Sequence, residues 1–170
     1  TGTFRPQNRP TRDILHVCGL LATGDSLDVL VVHLPSRSSG AKVSEPYRML
    51  VAGKIRSIAD SLLTTRLHPQ LIIMGDFNDY PNNKSITQTL GALAPPPHPA
   101  PLQLYHLLAS RAEAEKYSFG SYKYQGKWGL LDHLIISGTL LDNSSPFHTD
   151  EKKANVARLP FLLSNDEKYG

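Results

Sequence analysis

A carboxylate and an amide lie two residues apart where a short apolar segment ends. Asp76 and Asn78 follow the segment 71–74, whose length suits a buried strand, and Gly75 ends that segment. If the extended conformation continues past the glycine, both side chains point to the same side. Such a pair can hold a hard cation, a water molecule or a phosphate oxygen. The alternative is a simple turn after a strand, because Asp and Asn favour turns through local hydrogen bonds.

Two other apolar segments carry a polar residue that could join this pair. The β-branched segment 27–34 has His33 near its end, just before a loop that contains Arg37. The segment 128–137 has Asp132 among aliphatic residues, so that its carboxylate is predicted to be buried and to need a His, Arg or metal partner. Taken alone, a histidine among valines is more often part of a core.

These residues occur in a characteristic order along the chain. A strand-borne His, then Gly-Asp-Phe-Asn at 75–78, then an Asp before aliphatic residues resembles the endonuclease/exonuclease/phosphatase superfamily, a group of metal-dependent phosphoesterases that includes DNase I-like nucleases and sphingomyelinases. The resemblance extends from about residue 12 to the end. It implies an α+β fold of DNase I-like type, a four-layer α/β/β/α sandwich, in one domain over residues 1–170.

The resemblance implies a role for each residue. Asp76 orients the attacking water or helps to hold a divalent metal, and Asn78 binds the water and a phosphate oxygen. His33 donates a hydrogen bond to the phosphoryl group, and Asp132 orients the catalytic histidine of the family. His133 is not the partner of Asp132, because neighbours on a strand point to opposite faces. The implied cofactor is Mg²⁺ or Mn²⁺, held by Asp76 and Asn78, and the implied substrate is a phosphate ester, either a nucleic acid or a small phosphorylated molecule.

Two further residue types could contact the substrate. Arg37 suits bidentate contact with a phosphate, although a solvated loop arginine explains it equally well. Trp128, with Tyr122 and Tyr124, could line the site and stack on a base, a sugar or a lipid. Such aromatic residues more often pack a sheet, so that both interpretations stay open.

The chain departs from the superfamily at both ends. The superfamily begins with strands that carry an Asn and then a Gln-Glu pair, whose Glu is the main metal ligand, and nothing ahead of Asp13 supplies that strand. The superfamily also ends with Ser-Asp-His, which does not occur between residues 1 and 170. We therefore expect a partial domain that is weak or inactive by itself and whose uncovered sheet edges favour self-association.

The composition adds few constraints. The 170 residues, 40% of them hydrophobic, can build the core of one domain, and the net charge of +3 is compatible with a phosphate-bearing partner. The basic residues are scattered, without the block that would indicate duplex DNA. No apolar segment approaches the ~18 residues of a transmembrane helix. Cys18 is the only cysteine, which excludes an intrachain disulfide, and its apolar surroundings predict a buried thiol.

Hydrophobic periodicity and turn residues predict alternating strands and helices. The predicted strands are 13–21, 27–34, 70–75, 118–124, 128–137 and Asn155–Leu159. The predicted helices run from a capping Ser44 to before His68, from Asn82 or Asn83 to Leu90, and over 102–115. The first two strands should form a hairpin, as should the strands on either side of residues 125–127.

Two rival interpretations remain. One is a non-catalytic binding or scaffolding domain that retains the phosphoesterase fold, which the missing residues favour if the chain is complete. The other is an unrelated α/β domain in which the motifs are coincidental. The native reading frame separates the first of these from an enzyme, according to whether it encodes a Glu-bearing strand upstream and Ser-Asp-His downstream.

Overall fold

The computed structural model describes residues 11–159 and 161, and its architecture is a mixed sheet with helices. The strands are β1 (Leu15–Leu20), β2 (Ser26–His33), β3 (Gln70–Asp76), β4 (Leu104–His106), β5 (Tyr122–Tyr124), β6 (Lys127–Gly129) and β7 (Asp132–Ser137). The helices are α1 (Ala41–Thr65), a π-helical segment (Ser85–Leu90), α2 (Ala109–Ala114) and a 3₁₀ turn (Gly138–Leu141). Five strands form one sheet in the order β1-β2-β3-β7-β4, and β5 and β6 form a separate hairpin.

The pairing of the first three strands confirms the predicted hairpin and crossover. β1 and β2 are antiparallel, with Leu15 opposite Val31. β2 and β3 are parallel, which requires the long connection that α1 supplies. β7 then lies antiparallel to β3 on its other side. The ends of β2 and β3 and the start of β7 therefore meet at one edge of the sheet.

Helix α1 begins earlier than the sequence predicts. Gly40, with a φ of 100°, precedes the first helical residue, Ala41. Ser44 lies inside the first turns, where its Oγ donates to the carbonyl oxygen of Gly40 at 2.8 Å, so that the predicted cap at Ser44 is wrong. A serine hydroxyl can satisfy a carbonyl four residues back in a helix, which competes with its use as a cap.

Two hydrophobic clusters hold the sheet, one on each face. The first lies between α1 and the sheet and includes Leu30, Val51, Ile55, Ile73 and Ile135. The second lies on the opposite face, at the β7 side of the sheet, and is composed of Leu107, Leu108, Phe119, Leu130, Ile136, Leu140 and Ala154. Each cluster alternates along the strands, as the two-residue periodicity of a sheet requires.

The face opposite α1 is open on its β1 side. Leu15 and Val17 of β1 are 58% and 50% exposed, and Met74 of β3 is 42% exposed. Cys18 is also exposed, so that the prediction of a buried thiol is wrong. The cause is that β1 is an edge strand whose six residues are all exposed, although their composition is that of a core strand.

Three further predictions of secondary structure are wrong. The predicted strand 128–137 is divided at residues 130 and 131 into β6, which pairs with β5, and β7, which belongs to the main sheet. The segment 102–115 contains the strand β4 and the short helix α2 in place of one helix, because Leu104–His106 pairs with β7 and is fully buried there. Short apolar segments suit strand or helix equally, and tertiary pairing decides between them. The segment 155–159 has no regular structure. None of the helices in the described ranges is long and apolar enough to cross a bilayer.

Candidate active site

Three of the predicted site residues lie in one row at the edge of the sheet. His33 ends β2, Asp76 ends β3 and Asp132 begins β7; the register places His33 opposite Asp76 and Asp76 opposite Asp132. Residues that face each other on neighbouring strands share a face of the sheet. His33 Nε2 lies 3.5 Å from Asp76 Oδ2, and the two side chains are 44% and 33% exposed. A base and an acid therefore stand side by side within reach of solvent.

Gly75 allows β2 and β3 to approach each other just before this row. Its φ is 131°, and a Cβ at this position would lie 2.0 Å from the carbonyl oxygen of Val32. A side chain at this position would push the two strands apart. The backbone N–H of Leu34 also donates to the carbonyl oxygen of Asp76 at 2.8 Å. The glycine therefore contributes directly to the short distance between His33 and Asp76.

Asn78 is fixed by two hydrogen bonds in the loop that follows β3. Its backbone N–H donates to Asp76 Oδ1 at 2.8 Å, and its Nδ2 donates to the carbonyl oxygen of Leu34 at 3.0 Å. Its φ of 49° is left-handed, a conformation that Asn tolerates better than most residues. The Asp/Asn turn that was the alternative to a functional pair is thus present. It orients Asp76 and Asn78 together and leaves the amide oxygen of Asn78 as an acceptor for a ligand.

Asp132 is exposed, so that the prediction of a buried carboxylate is wrong. β7 begins at this residue, at the solvent-facing edge of the sheet, and aliphatic neighbours in the sequence do not cover it. Its backbone N–H donates to Ser121 Oγ at 3.1 Å. His133, by contrast, is 3% exposed and lies on the opposite face of the strand. The two neighbours are therefore not partners, as expected from strand geometry.

His133 supports the loop from beneath. Its ring stacks on Phe77 with centroids 4.8 Å apart, and its Nε2 lies 3.0 Å from the carbonyl oxygen of Asp79, to which it can donate. Burial lowers the pKa of His133 to about 4, so that the ring is neutral near pH 7. Burial also lowers the pKa of His106, whose ring centroid is 4.6 Å from that of His133. These two histidines belong to the core beneath the row, whereas His33 belongs to the row itself.

A buried ion pair anchors the other side of the same loop. Arg48 Nε lies 2.7 Å from Asp79 Oδ2, and both side chains are 0% exposed. Asp79 also accepts hydrogen bonds from Ser85 Oγ at 2.6 Å and from Asn83 Nδ2 at 3.0 Å. The sequence interpretation missed this pair. The available signal was an arginine on the apolar side of α1, three residues before Val51 and seven before Ile55.

Arg37 and Trp128 lie in the wall of the same cleft as Asp76 and Asn78. The cleft has a volume of about 1420 Å³, and neither His33 nor Asp132 forms part of its wall. The guanidinium carbon of Arg37 lies 4.8 Å from the centre of the Tyr80 ring, which holds Arg37 beside the loop. Four of the six predicted site residues therefore share one cleft, and the other two flank it.

The oxygen donors of this site suit a hard cation. Asp76 offers a carboxylate, and Asn78, whose backbone N–H binds that carboxylate, offers an amide oxygen. Mg²⁺ commonly takes only one or two carboxylates and keeps several waters. Among residues 11–159 and 161, no group of three or more His, Cys, Asp and Glu side chains comes together as a metal site. The residues present fit an open site that waters and substrate would complete, not a closed protein cage.

Comparisons with known proteins identify the family of this chain. The sequence model of a family described as "Endonuclease/Exonuclease/phosphatase family" matches residues 3–170. One similar solved structure is a truncated TDP2 from Caenorhabditis elegans, with 14% identity and a TM-score of 0.49 over 73% of this chain and 45% of that chain. A second is the human Nocturnin catalytic domain with bound sulfate, with 18% identity and a TM-score of 0.45 over 68% of this chain and 37% of that chain. A third is the beta toxin of Staphylococcus aureus, with 16% identity and a TM-score of 0.48 over 74% of this chain and 43% of that chain. No curated protein matches.

The chain spans less than half the length of each of these three solved proteins. The family match covers nearly all of the 170 residues, and it excludes the interpretation in which the motifs are coincidental. The DNase I-like fold that the resemblance implied is confirmed with it. This chain belongs to the endonuclease/exonuclease/phosphatase family.

Proposed function

We propose that this chain carries part of the active site of a divalent-metal-dependent phosphoesterase. The observation that supports the proposal most strongly is the row of His33, Asp76 and Asp132 across three neighbouring strands, with the backbone of Asn78 hydrogen-bonded to Asp76 at its centre. Phosphate-ester hydrolysis needs neutralised phosphoryl oxygens, a positioned water and a group that moves its proton. The row offers two acids and a base, and Asn78 adds an amide next to Asp76.

Each residue has a separate task in this proposal. Asp76 and Asn78 hold the cation, and Asp76 also orients the attacking water. His33 donates a hydrogen bond from its ring to a phosphoryl oxygen, and Arg37 neutralises a substrate phosphate. Asp132 orients the catalytic histidine of the family, which is not His133. Bound Mg²⁺ or Mn²⁺ supplies Lewis acidity at the phosphoryl oxygens.

The test is isothermal titration of Mg²⁺ and Mn²⁺ into wild type, Asp76→Ala and the control Asp60→Ala. Asp60 is an exposed acid of α1 that pairs with Arg56, so that its removal changes a surface charge without touching the row. We expect binding in wild type and in Asp60→Ala, and at least a ~10-fold weaker affinity in Asp76→Ala, since one carboxylate commonly decides Mg²⁺ binding. Equal affinity in all three proteins would contradict the proposed metal site.

Residues 1–170 by themselves should turn over substrate only weakly. Among the described residues, no group of three His, Cys, Asp or Glu side chains completes the site around Asp76, and His133, the sequence neighbour of Asp132, lies buried on the opposite face of β7. The measurement is hydrolysis of bis(p-nitrophenyl) phosphate with Mg²⁺. Ordinary phosphodiesterase turnover by these residues alone would contradict this expectation. Failure to bind either metal would favour the rival function, a binding or scaffolding domain with the same fold.

A further inference from the structure

The hairpin β5–β6 lies outside the main sheet and carries two exposed tyrosines. Its turn, Gln125-Gly126, has positive φ at both residues (49° and 75°), as in the type I′ turn that matches the twist of paired strands. Tyr122 and Tyr124 are two apart on β5 and share a face, with ring centroids 6.3 Å apart and planes within 11°. They are 46% and 50% exposed. Two parallel, half-exposed rings offer aromatic faces on which a planar group can stack.

Cations lie over the other exposed tyrosines of this region. Tyr117 is 56% exposed, and the ammonium groups of Lys116 and Lys127 lie 5.6 and 5.2 Å from the centre of its ring. Arg37 occupies the same position over Tyr80. Aromatic faces and positive charges therefore alternate over this surface. Proteins that bind single-stranded nucleic acid combine the same two elements, a basic groove for the backbone and aromatic rings for the bases.

This surface is continuous with the candidate active site. A Cβ at Gly129 of β6 would lie 2.8 Å from the ring of Tyr80, so that the hairpin packs directly against the loop that follows Asn78. The tyrosines, lysines and Arg37 line the same cleft as Asp76. The charged residues of its wall are three basic and two acidic: Arg37, Lys116, Lys127, Asp76 and Glu113. The volume of about 1420 Å³ exceeds the ~300–1,000 Å³ of small-ligand pockets.

We propose that this cleft binds an unpaired nucleic-acid strand. Its bases stack on Tyr122 and Tyr124, its phosphates meet Lys116, Lys127 and Arg37, and one phosphodiester reaches the row at Asp76. The inference rests on the proposed phosphoesterase function, because it names the substrate class of that same site. It is also separable from it, since stacking and phosphate contact need no metal.

The geometry favours this occupant over two others. In a duplex the base faces are already stacked on each other, so that tyrosines of the hairpin reach them only in an unpaired strand. A bilayer surface attracts aromatic and basic residues on a protruding face. Here the tyrosines and lysines line a concave cleft that also contains Asp76, into which a flat surface does not enter.

The test is fluorescence anisotropy of a labelled oligothymidylate with residues 1–170, in EDTA so that binding is measured without cleavage. We expect the wild type to bind the single strand at least ~10-fold more tightly than a duplex that contains the same strand, because only the single strand offers base faces. The double variant Tyr122→Ala/Tyr124→Ala should bind at least ~10-fold more weakly than wild type. Lys127→Ala should reduce the slope of log affinity against log salt by about 0.7, the value for one phosphate contact on a single strand.

Two controls separate stacking from a loss of structure. Tyr122→Phe/Tyr124→Phe keeps both rings and should bind like wild type, whereas a requirement for the hydroxyls would contradict stacking. Phe147→Ala removes a ring that is 38% exposed and lies outside the cleft wall, and it should leave binding unchanged. Circular dichroism of each variant verifies that it is folded.

The outcomes distinguish this inference from the proposed function. Oligonucleotide binding that depends on the tyrosines supports the inference, whatever the metal titration shows. Asp76-dependent Mg²⁺ binding without oligonucleotide binding overturns the inference and leaves the phosphoesterase proposal intact. Tyrosine-dependent cosedimentation with phosphatidylcholine–phosphatidylserine vesicles, in the absence of oligonucleotide binding, overturns it in favour of a membrane surface.

Discussion

Two acid–base pairs flank the loop 76–79, one on each face of the sheet, and they differ in almost every physical respect. Arg48 and Asp79 lie 2.7 Å apart with both side chains fully buried, and further hydrogen bonds hold the carboxylate. His33 and Asp76 lie 3.5 Å apart with both side chains partly exposed. The first pair leaves no room for a ligand, whereas the second leaves acid and base within reach of one.

The contrast shows how four consecutive residues serve two purposes. Phe77 and Asp79 point into the core on the α1 side, where stacking on His133 and pairing with Arg48 hold the backbone of the loop. Asp76 and Asn78 are thereby presented at the other face. We infer that stability depends mainly on the inner pair, Arg48 and Asp79, and that chemistry depends on the outer pair, His33 and Asp76.

Arg48→Ala should have the largest effect on stability. It leaves the carboxylate of Asp79 buried without its cation, which typically costs about 3–5 kcal/mol of unfolding free energy. Urea denaturation followed by circular dichroism measures the change. The matched control is Lys153→Ala, whose pair with Asp150 is exposed and 3.7 Å apart, and which should cost less than about 1 kcal/mol. Equal losses in the two variants would remove the distinction between inner and outer pairs.

Acidification should lower the free energy of unfolding through the buried histidines on the α1 side of the sheet. The folded pKa of His133 is about 4 and its ordinary value is 6.5, so that the unfolded chain takes up the proton first. The contribution of His133 to the free energy of unfolding is therefore fully present above pH 6.5, and about 3 kcal/mol of it is lost as the pH drops toward 4. His106 acts in the same direction, because burial lowers its pKa also. Urea midpoints that are independent of pH across this window would show that the histidines are not buried as neutral rings.

The open face of β1 should promote self-association. Val17 and Leu15 are large apolar side chains left in solvent, and burying one of them fully stabilises an interface by about 1.5–3 kcal/mol. We expect Val17→Lys to shift the protein toward monomer in light scattering over a concentration series. Leu67→Lys is the control, since Leu67 is 89% exposed and lies beyond the end of α1. A wild type that is monomeric at every concentration would contradict the expectation.

Asp76→Asn should change stability least. The substituted amide keeps an oxygen for the N–H of Asn78, and the exposed pair with His33 contributes less than about 1 kcal/mol. The same variant should lose Mg²⁺ binding, measured by titration. A large loss of stability would place Asp76 with the inner pair and would argue against a site at the outer face.

The sequence was informative where one local pattern implied one structure. Gly-Asp-Phe-Asn after an apolar segment predicted the strand end at Asp76, and the order of motifs predicted the family. The long connection between the parallel strands β2 and β3 was predicted from the periodicity of α1. In each case the chain contains the hydrophobic pattern and the turn residue that the structure uses.

The burial of individual side chains was not predictable in the same way. Asp132 and Cys18 both lie in apolar sequence, yet both are exposed. Asp132 is the first residue of β7, where the strand meets solvent, and Cys18 lies on β1, the outermost strand of the sheet. Arg48 is charged, yet fully buried, because Asp79 lies opposite it after a crossover of about 30 residues. Such contacts depend on which segments meet, and one sequence does not show that.

Cys18 gives the edge strand a practical use. It is the only cysteine of the chain, it is exposed, and it lies outside the cleft that contains Asp76. A hydrogen bond with Asp28 raises the pKa of its thiol, so that little thiolate is present near neutral pH and maleimide coupling should be slow there but faster in alkaline buffer. A single fluorophore attached at this position would give a reporter of β1 in a protein that needs no cysteine substitutions.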